Sequence, residues 1–260
     1  MSAYDALAPS FDRDRALPDG VAAAIRAAAL GSVDVARPRV LDLGAGTGRV
    51  GWPFVAASDD YVGVDLSFGM LSAFKRRPEA AGYDLRLVQA DGHRMPFGDA
   101  MFDVVMLIQV FGGISDWRQF AREVRRVLRN SGAVLAGRAK GPESGVDARM
   151  KRQLASILGE LGVPTHGPSA GDALRMLDET ALRADSRVVA NWAAERTPRR
   201  FLERHRGGAR FAALPRDVKD EALRRLGVWA EATFGSLDAA SSETFAFELR
   251  VFAFHGKVVA

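Results

Sequence analysis

The sequence predicts an α/β fold in which a parallel sheet is covered by helices on both faces. The first observation is that short apolar strands alternate with helical segments between about residues 40 and 140. The second is that three glycines, Gly44, Gly46 and Gly48, directly follow the first strand. Alternating strands and helices are typical of parallel sheets, which bind ligands at the carboxyl ends of their strands. We therefore expect the functional site at that edge of the sheet.

The elements follow from local signals along the chain. Ser67 and Asp116 precede apolar periodic segments and are predicted to cap the helices that follow them. Pro53 lies near the first turns of its helix, where proline is better tolerated. The predicted helices are 21–30, 47–57, 68–77, 116–128, 147–161, 172–184, 198–205 and 216–233. The predicted strands are 40–43, 61–65, 85–89, 102–108, 133–137, 187–194 and 243–255, with turns at 95–97 and 130–132.

Composition excludes several classes of protein. The chain has 260 residues, of which 48% are hydrophobic and 26% charged, as in an ordinary globular domain. Cysteine is absent, which excludes disulfides, thiolate metal sites and a cysteine nucleophile. No apolar run approaches about 20 residues, and the N-terminal residues lack the pattern of a signal peptide. We expect a cytoplasmic protein without a membrane span.

Charge gives little support for a nucleic-acid partner. The formal net charge is only +4, and acidic residues are interspersed among the basic ones. The basic stretch 196–210 lacks the alternation of aromatic and basic residues that stacks bases, so a solvated helical surface is the favoured interpretation. No spacing of His, Asp or Glu typical of a metal site is present, and no metal is expected.

The glycine turn and the strand before it carry the strongest signal. Glycines let the backbone turn sharply and let a ligand approach without a Cβ in the way. The helix that follows offers free N–H groups to a ligand with negative charge. Asp42 lies inside the strand itself. A nucleotide-like ligand is indicated.

Acidic residues end the next two strands. Asp65 follows Gly46 by 19 residues, and an acid there can accept both hydroxyls of a ribose; the alternative is a helix-capping aspartate. Asp91 can accept from an exocyclic adenine amine, or simply form an Asp-Gly turn. The glycine spacing differs from Gly-x-Gly-x-x-Gly, which disfavours a nucleotide-dependent dehydrogenase.

These motifs together resemble a known family. Val-Leu-Asp-Leu-Gly-Ala-Gly-Thr-Gly is followed in order by Val-Gly-Val-Asp-Leu-Ser, Gln-Ala-Asp-Gly with Met-Pro-Phe, Phe-Asp-Val-Val, and Val-Leu-Arg-Asn-Ser-Gly-Ala. The series is similar to class I S-adenosylmethionine-dependent methyltransferases, type 11/25, a group that includes ubiquinone and menaquinone biosynthesis enzymes. The resemblance covers residues 4–140 closely and the remainder loosely. It implies a Rossmann-like seven-stranded sheet with helices on both faces and a helical cap.

The resemblance also implies how the cofactor, S-adenosyl-L-methionine, and its product, S-adenosyl-L-homocysteine, are bound. It assigns Asp42 to the methionine ammonium, the glycine loop to the methionine backbone, Asp65 to the ribose and Asp91 to adenine N6. Tyr4 would belong to a segment that closes over the cofactor. The implied cofactor-binding residues are Tyr4, Asp42, Gly44, Ala45, Gly46, Asp65, Leu66, Asp91, Gly92, His93, Ile108 and Gln109.

The implied organisation is a single methyltransferase domain, 1–260. It comprises a cofactor-covering segment, 1–36, a cofactor-binding core, 37–140, and helical cap insertions, 141–171 and 198–234. The expected reaction is in-line methyl transfer to a small-molecule acceptor at O, N or C. RNA or protein methylation, and non-catalytic binding of S-adenosylmethionine, remain alternatives. Neither the acceptor nor the oligomeric state follows from the sequence.

One departure from the family bears on catalysis. Relatives often carry a His-His pair after the fourth strand, where this chain has Phe111-Gly112-Gly113-Ile114. A histidine role at that position is therefore not available. His93 is interpreted as a wall of the cofactor site and His205 as a surface helix residue, while His166 and His255 have no arguable partner. No catalytic residue is assigned.

Overall fold

The computed structural model describes residues 5, 8, 11, 12, 17–111, 114, 116–163, 174, 175, 177–179, 181–206, 211 and 214–254. The helices are α1 (Val21–Leu30), α2 (Trp52–Ala56), α3 (Phe68–Lys75), α4 (Trp117–Val127), α5 (Val146–Glu160), α6 (Pro198–Arg206) and α7 (Arg216–Phe234). A short 3₁₀ helix spans Pro78–Ala80. The strands are β1 (Val40–Leu43), β2 (Tyr61–Asp65), β3 (Leu87–Gln89), β4 (Phe102–Ile108), β5 (Leu128–Lys140), β6 (Arg183–Arg196) and β7 (Ser241–Ala253).

The strands of the described chain form a seven-stranded sheet in the order β3-β2-β1-β4-β5-β7-β6. The pairs β1–β2, β1–β4, β2–β3 and β4–β5 are parallel. In the register Asp42 lies opposite Gly63, and Ile108 lies opposite Gly137. Strand order reverses beside β1, so the edge where β1, β2 and β4 end is where ligands of open α/β sheets bind. The α/β fold predicted from the sequence is confirmed.

The central strands are buried along their whole length, as expected where helices cover both faces of a parallel sheet. All residues of β1 and of β4 are buried. Asp103 is a polar exception near the start of β4, and its carboxylate accepts from the Arg39 N–H at 2.8 Å and from Arg129 Nη1 at 2.7 Å. That pairing lies at the amino-terminal edge of the sheet, opposite the expected site.

Three local expectations are corrected by the structure. The helix expected from Thr47 begins only at Trp52, because the positive φ of Gly48 is incompatible with a right-handed helix. Strand β3 begins at Leu87 rather than Leu85. The expected turn 130–132 lies inside β5, where the register shifts between the pairs Phe102–Leu128 and Val104–Ala133. The intervening residues therefore form an irregularity in a continuous strand.

The chain divides into two compact units, each with its own apolar core. The first comprises the described residues within 1–138, 167–190 and 247–260. Its core includes Leu41, Val105 and Phe120. The second comprises the described residues within 139–166 and 191–246, and α5, α6 and α7 pack together in it around residues such as Met150, Phe201 and Leu226. No helix of the described ranges is both long and apolar enough to cross a bilayer.

Candidate functional site

Asp42 is a buried carboxylate at the centre of the site. Its side chain lies on β1, only 2% of the residue is exposed, and Oδ2 accepts a hydrogen bond of 2.8 Å from the Tyr61 hydroxyl. Burial raises the pKa of Asp42 to about 7; the charge of Asp65 acts in the same direction, and the Tyr61 bond opposes it. Because the pKa lies near neutrality, this carboxylate changes charge in the physiological range.

The Tyr61 hydroxyl reaches Asp42 because two glycines leave room for it. A Cβ on Gly51 would lie 2.1 Å from the hydroxyl oxygen, and a Cβ on Gly63 would lie 3.2 Å from it. The tyrosine ring stacks on Phe54 at a centroid distance of 5.5 Å. The hydrogen bond between Tyr61 and Asp42 thus depends on glycine at positions 51 and 63.

The glycine loop uses its three glycines in different ways. Their φ angles are +91° at Gly44, +56° at Gly46 and +83° at Gly48, values that residues other than glycine rarely adopt. A Cβ on Gly44 would lie 2.7 Å from Cγ2 of Val110, and one on Gly48 only 2.2 Å from the Phe74 ring. At Gly46 the nearest atom is the Gly44 carbonyl oxygen at 3.9 Å. The backbone at Gly46 therefore faces open space.

Asp65 ties the glycine loop to the end of β2. Its Oδ2 accepts from the Gly46 N–H at 2.9 Å, and its Oδ1 accepts from the Ser67 N–H at 2.8 Å. Burial raises the pKa of Asp65, although both backbone bonds act in the opposite direction. The adjacent apolar side chains of Leu66 and Phe68 are 56% and 65% exposed. Exposed apolar groups next to a fixed carboxylate suit a ligand with a polar and a flat apolar part.

Asp91 and His93 form a local pair at the end of β3. Asp91 Oδ1 accepts from the His93 N–H at 2.9 Å and lies 2.6 Å from His93 Nδ1. The bond from the His93 N–H is the main cause that lowers the pKa of Asp91. A Cβ on Gly92 would lie 2.6 Å from the Phe120 ring, so this turn packs closely on α4. Both the turn and the ligand interpretation fit this geometry, since half of the Asp91 side chain is exposed.

The end of β4 carries a strained residue. Gln109 has a φ of +57°, which is uncommon outside glycine, and its N–H donates to the Gly137 carbonyl at 2.8 Å. Its Oε1 accepts from Arg49 Nη2 at 2.9 Å. Ile108 before it is buried. Backbone strain held in place by neighbours is a feature of functional sites.

The structure brings five of the predicted residues around one small cavity of about 60 Å³. Asp42, Gly44, Ala45, Ile108 and Gln109 line it together with Phe11, Thr47, Arg49 and Val50. Asp65 does not line it but holds Gly46, the neighbour of the lining residues. Leu66, Asp91, Gly92 and His93 follow the ends of β2 and β3 and lie outside this cavity. Tyr4, like the pair Gly112-Gly113, falls outside the described residues.

Sequence reasoning missed two aspartates of the N-terminal segment. Asp12 accepts from Arg77 Nη1 at 2.7 Å and is hydrogen bonded to the Thr47 hydroxyl. Asp5 Oδ1 accepts from the Ser67 hydroxyl at 2.6 Å and from the Gly69 N–H at 2.9 Å. These bonds connect residues at least 35 positions apart, so only their acidic character within an irregular segment could have drawn notice.

Neither His93 nor His205, the histidines within the described residues, lines the cavity. His205 lies on α6, stacks on Phe201 at 3.8 Å, and its Nδ1 lies 2.8 Å from the Phe201 carbonyl oxygen. Burial lowers the pKa of His205 to about 4, so the ring is neutral at neutral pH. His166 and His255 fall outside the described residues. Within the described ranges, no three His, Asp or Glu side chains are grouped as metal ligands would be.

Comparison with known proteins identifies this arrangement. Residues 41–136, which contain the glycine loop, Asp65, Asp91 and the end of β4, match the family model described as "Methyltransferase domain". Residues 41–136 are thus similar to the methyltransferase domains of the type 11 group. The resemblance inferred from the ordered motifs is thereby confirmed for this part of the chain.

Curated relatives resemble the same part of the chain. The chain is 36% identical over 141 residues to a demethylmenaquinone methyltransferase of Streptomyces griseus, covering 52% of this chain and 57% of that protein. It is 31% identical over 116 residues to a demethylmenaquinone methyltransferase of Thermus thermophilus, covering 44% of this chain and 53% of that protein. The matches thus span about half the length of these relatives.

Solved structures share the fold across most of the chain. A putative methyltransferase from Bacillus halodurans matches with a TM-score of 0.60 and 20% identity, covering 92% of this chain and 100% of that one. The YcgJ protein of Bacillus subtilis matches with a TM-score of 0.57 and 20% identity, covering 90% and 99%. At this identity the likeness concerns the fold, and it agrees with the predicted seven-stranded methyltransferase sheet.

Proposed function

We propose that this chain transfers a methyl group from S-adenosyl-L-methionine to a small-molecule acceptor and releases S-adenosyl-L-homocysteine. The observation that carries the proposal is the buried Asp42 carboxylate in the wall of the cavity beside the glycine loop. Among the described residues, its side-chain hydrogen-bond partner is the neutral Tyr61 hydroxyl. A buried carboxylate without a cation is costly, and the α-ammonium of a methionine moiety supplies that cation.

The neighbouring groups fit the rest of such a ligand. The open space beside Gly46 admits the methionine backbone. Asp65, held by two backbone N–H groups, retains lone pairs for the ribose hydroxyls. Leu66 and Phe68 supply exposed apolar surface for the adenine ring. Asp91 is the proposed acceptor from adenine N6, with Gly92 and His93 beside the ring.

When bound, the sulfonium supplies its methyl group: an acceptor lone pair bonds to the methyl carbon while the carbon–sulfur bond breaks and its electron pair returns to sulfur. The protein's part is to hold the ligand and align the acceptor, which supplies much of the rate gain in such displacements. Ile108 and Gln109 end β4 within the cavity and are the proposed neighbours of the reacting methyl group. No residue is assigned as a base.

A small molecule is the proposed acceptor class. The curated relatives are named for demethylmenaquinone, a quinone, which supports a non-polymeric acceptor over RNA or protein. Helices α5, α6 and α7 of the second unit lie within the predicted cap insertions 141–171 and 198–234. The N-terminal segment is proposed to cover the cofactor. Its Asp5 is hydrogen bonded to Ser67 and Gly69, and its Asp12 to Thr47 and Arg77.

The test begins with calorimetric titration of the protein with S-adenosyl-L-methionine, S-adenosyl-L-homocysteine and NAD. Micromolar binding of the first two without NAD is expected. Transfer of labelled methyl groups to phenols, quinols and amines then measures activity. Binding of NAD alone would overturn the proposal, whereas cofactor binding with no transfer to any acceptor would favour a non-catalytic binding protein.

A further inference from the structure

A second, larger cavity of about 260 Å³ lies in the first unit, next to the proposed site of methyl transfer. Its described lining consists of Phe111, Ala136, Gly137, Arg138, Leu174, Ser186, Glu248 and Arg250. Gly137 is paired with Ile108 in the sheet register, and Ile108 lines the smaller cavity. A lining residue of one cavity is therefore the sheet neighbour of a lining residue of the other, near the ends of β4 and β5.

Part of the lining of the larger cavity is apolar and includes an aromatic ring. Phe111 is buried and stacks on Trp117 at a centroid distance of 5.3 Å with 26° between the ring planes. Leu174 belongs to the same apolar core, and Gly137 adds no side chain. A Cβ on Gly137 would lie 2.7 Å from Cδ1 of Ile108, so the wall is close-packed. Such a wall accepts an aromatic ring.

The lining also carries charged side chains, which differ in the hydrogen-bond partners they have. Arg250 Nη2 donates to both oxygens of Asp178, at 2.5 and 2.6 Å. Glu248 takes part in a further interaction of its own. Arg138 is half-buried, and within the described ranges its guanidinium has neither an acidic partner nor a side-chain hydrogen bond. A half-buried guanidinium without a partner favours binding of an anion.

We propose that this cavity holds the methyl acceptor and that Arg138 binds a carboxylate carried on a small aromatic ring of that acceptor. The inference rests on the proposed methyl transfer and adds the acceptor's chemical class. The planar fork of Arg138 matches a carboxylate in two parallel hydrogen bonds. The volume lies below the roughly 300 Å³ at which sites for drug-sized ligands begin, so a one- or two-ring molecule fits.

The test uses arene carboxylates as probes: benzoate, 4-hydroxybenzoate and 2-naphthoate, each compared with its methyl ester. They are titrated into the full chain with and without S-adenosyl-L-homocysteine. At least one acid is expected to bind more tightly than its ester. Arg138→Gln should weaken binding of that acid about ten- to a hundredfold, as for loss of a hydrogen bond to a charged group. Arg138→Lys should recover part of the loss.

Two variants serve as controls. Glu248→Gln removes a negative charge from the same cavity, and it should leave acid binding unchanged or tighter. Arg187→Gln removes an exposed arginine outside the lining, and it should have no effect. The affinity for S-adenosyl-L-homocysteine should be the same in all variants. This result would separate the acceptor pocket from the cofactor site.

Several outcomes would overturn the inference. They are equal binding of acid and ester, unchanged acid binding in Arg138→Gln, no binding of any acid, or preferential binding of aryl amines that is lost in Glu248→Gln. The proposed function fails separately, through absence of S-adenosyl-L-methionine binding. If the wild-type protein binds S-adenosyl-L-methionine and methylates 4-hydroxybenzoate no better than Arg138→Gln does, the proposed function stands and this inference is lost.

Discussion

The hydroxyl of Tyr61 donates a hydrogen bond of 2.8 Å to Oδ2 of Asp42, and both residues are at least 97% buried. The two residues lie on neighbouring parallel strands whose register pairs Asp42 with Gly63. The bond favours the ionised carboxylate and so opposes the effect of burial on the pKa of Asp42. Tyr61 is thereby a positioning residue for the charge that the proposed ligand needs.

Replacing Tyr61 by Phe should raise the pKa of Asp42 above its present value of about 7. The ring and its stacking on Phe54 remain, while the donor is lost. Binding of S-adenosyl-L-methionine at neutral pH should weaken about tenfold or more, the range for a hydrogen bond to a charged group. Calorimetry at several pH values measures this change. Tyr83→Phe, at an exposed tyrosine, is the control; an unshifted pH midpoint in Tyr61→Phe would remove Tyr61 from the site.

Cofactor binding by the unaltered protein should strengthen as pH rises. Asp42 must be ionised to pair with the ligand ammonium, and its pKa in the free protein is about 7. Below pH 7 the Asp42 carboxyl is protonated and must lose its proton before it can pair with the ligand. The affinity for the cofactor should therefore fall up to about tenfold per pH unit between about pH 7 and 5.5. Asp42→Asn should bind weakly and show a nearly flat profile. A flat profile in the unaltered protein would contradict the ionic role of Asp42.

The same carboxylate should limit stability at higher pH. The folded pKa of Asp42, about 7, lies above the value of about 3.9 expected in the unfolded chain. Its contribution to stability is therefore fully present below about pH 4 and is lost as pH rises through about 7. Asp42→Asn keeps an oxygen that accepts from Tyr61, and it should be roughly 1–3 kcal/mol more stable at pH 8, with less difference at pH 4. Urea unfolding at both pH values tests this; a less stable variant at pH 8 would refute it.

Replacing Asp65 by Ala should weaken cofactor binding about a hundredfold or more while the fold remains. The change removes the proposed ribose acceptor and the bonds that hold Gly46 and Ser67. Asp65→Asn keeps one acceptor oxygen, so its affinity for the cofactor should lie between those of the unaltered protein and Asp65→Ala. Calorimetry gives the dissociation constant and circular dichroism the fold, with the exposed Asp34→Ala as the control. An unchanged dissociation constant would end the ribose assignment.

Gly48 and Gly20 allow steric crowding to be separated from backbone strain. Their φ angles are +83° and +82°, but a Cβ would lie 2.2 Å from the Phe74 ring at Gly48 and meet nothing within 4 Å at Gly20. Gly20→Ala should cost about 1–2 kcal/mol of stability through the left-handed conformation alone. Gly48→Ala should cost clearly more, by about 1–3 kcal/mol of overpacking. Equal losses in urea unfolding would show that Phe74 moves aside freely.

The strands and the order of the motifs could be predicted because their signals are local. The buried strand Phe102–Ile108 is nearly all apolar, and Ser67 and Asp116 each accept the capping bond expected of them. The ordered motifs place the cofactor residues at one edge of the sheet for the same reason: parallel strands that follow one another end together. These features need no knowledge of distant partners.

The remaining features depend on contacts between distant residues. The Tyr61–Asp42 bond requires the register of two strands and the space left by Gly51 and Gly63, which no single segment reveals. The irregularity in β5 exists because Leu128 already pairs with Phe102. The residues at 130–132 predict a turn, but they carry no information about this pairing with a distant strand. That Arg138 has no acidic partner among the described residues is likewise known only once neighbouring strands are placed.

The two backbone bonds of Asp65 have a consequence for how the site meets its ligand. A side chain of the next strand holds the glycine loop at Gly46, and its second bond holds Ser67 just after that strand. Most of the ordering entropy of the loop is therefore spent during folding and not again at each turnover. Empty and occupied proteins are expected to share one loop geometry, so that rigid analogues matched to this geometry make better inhibitors than flexible ones.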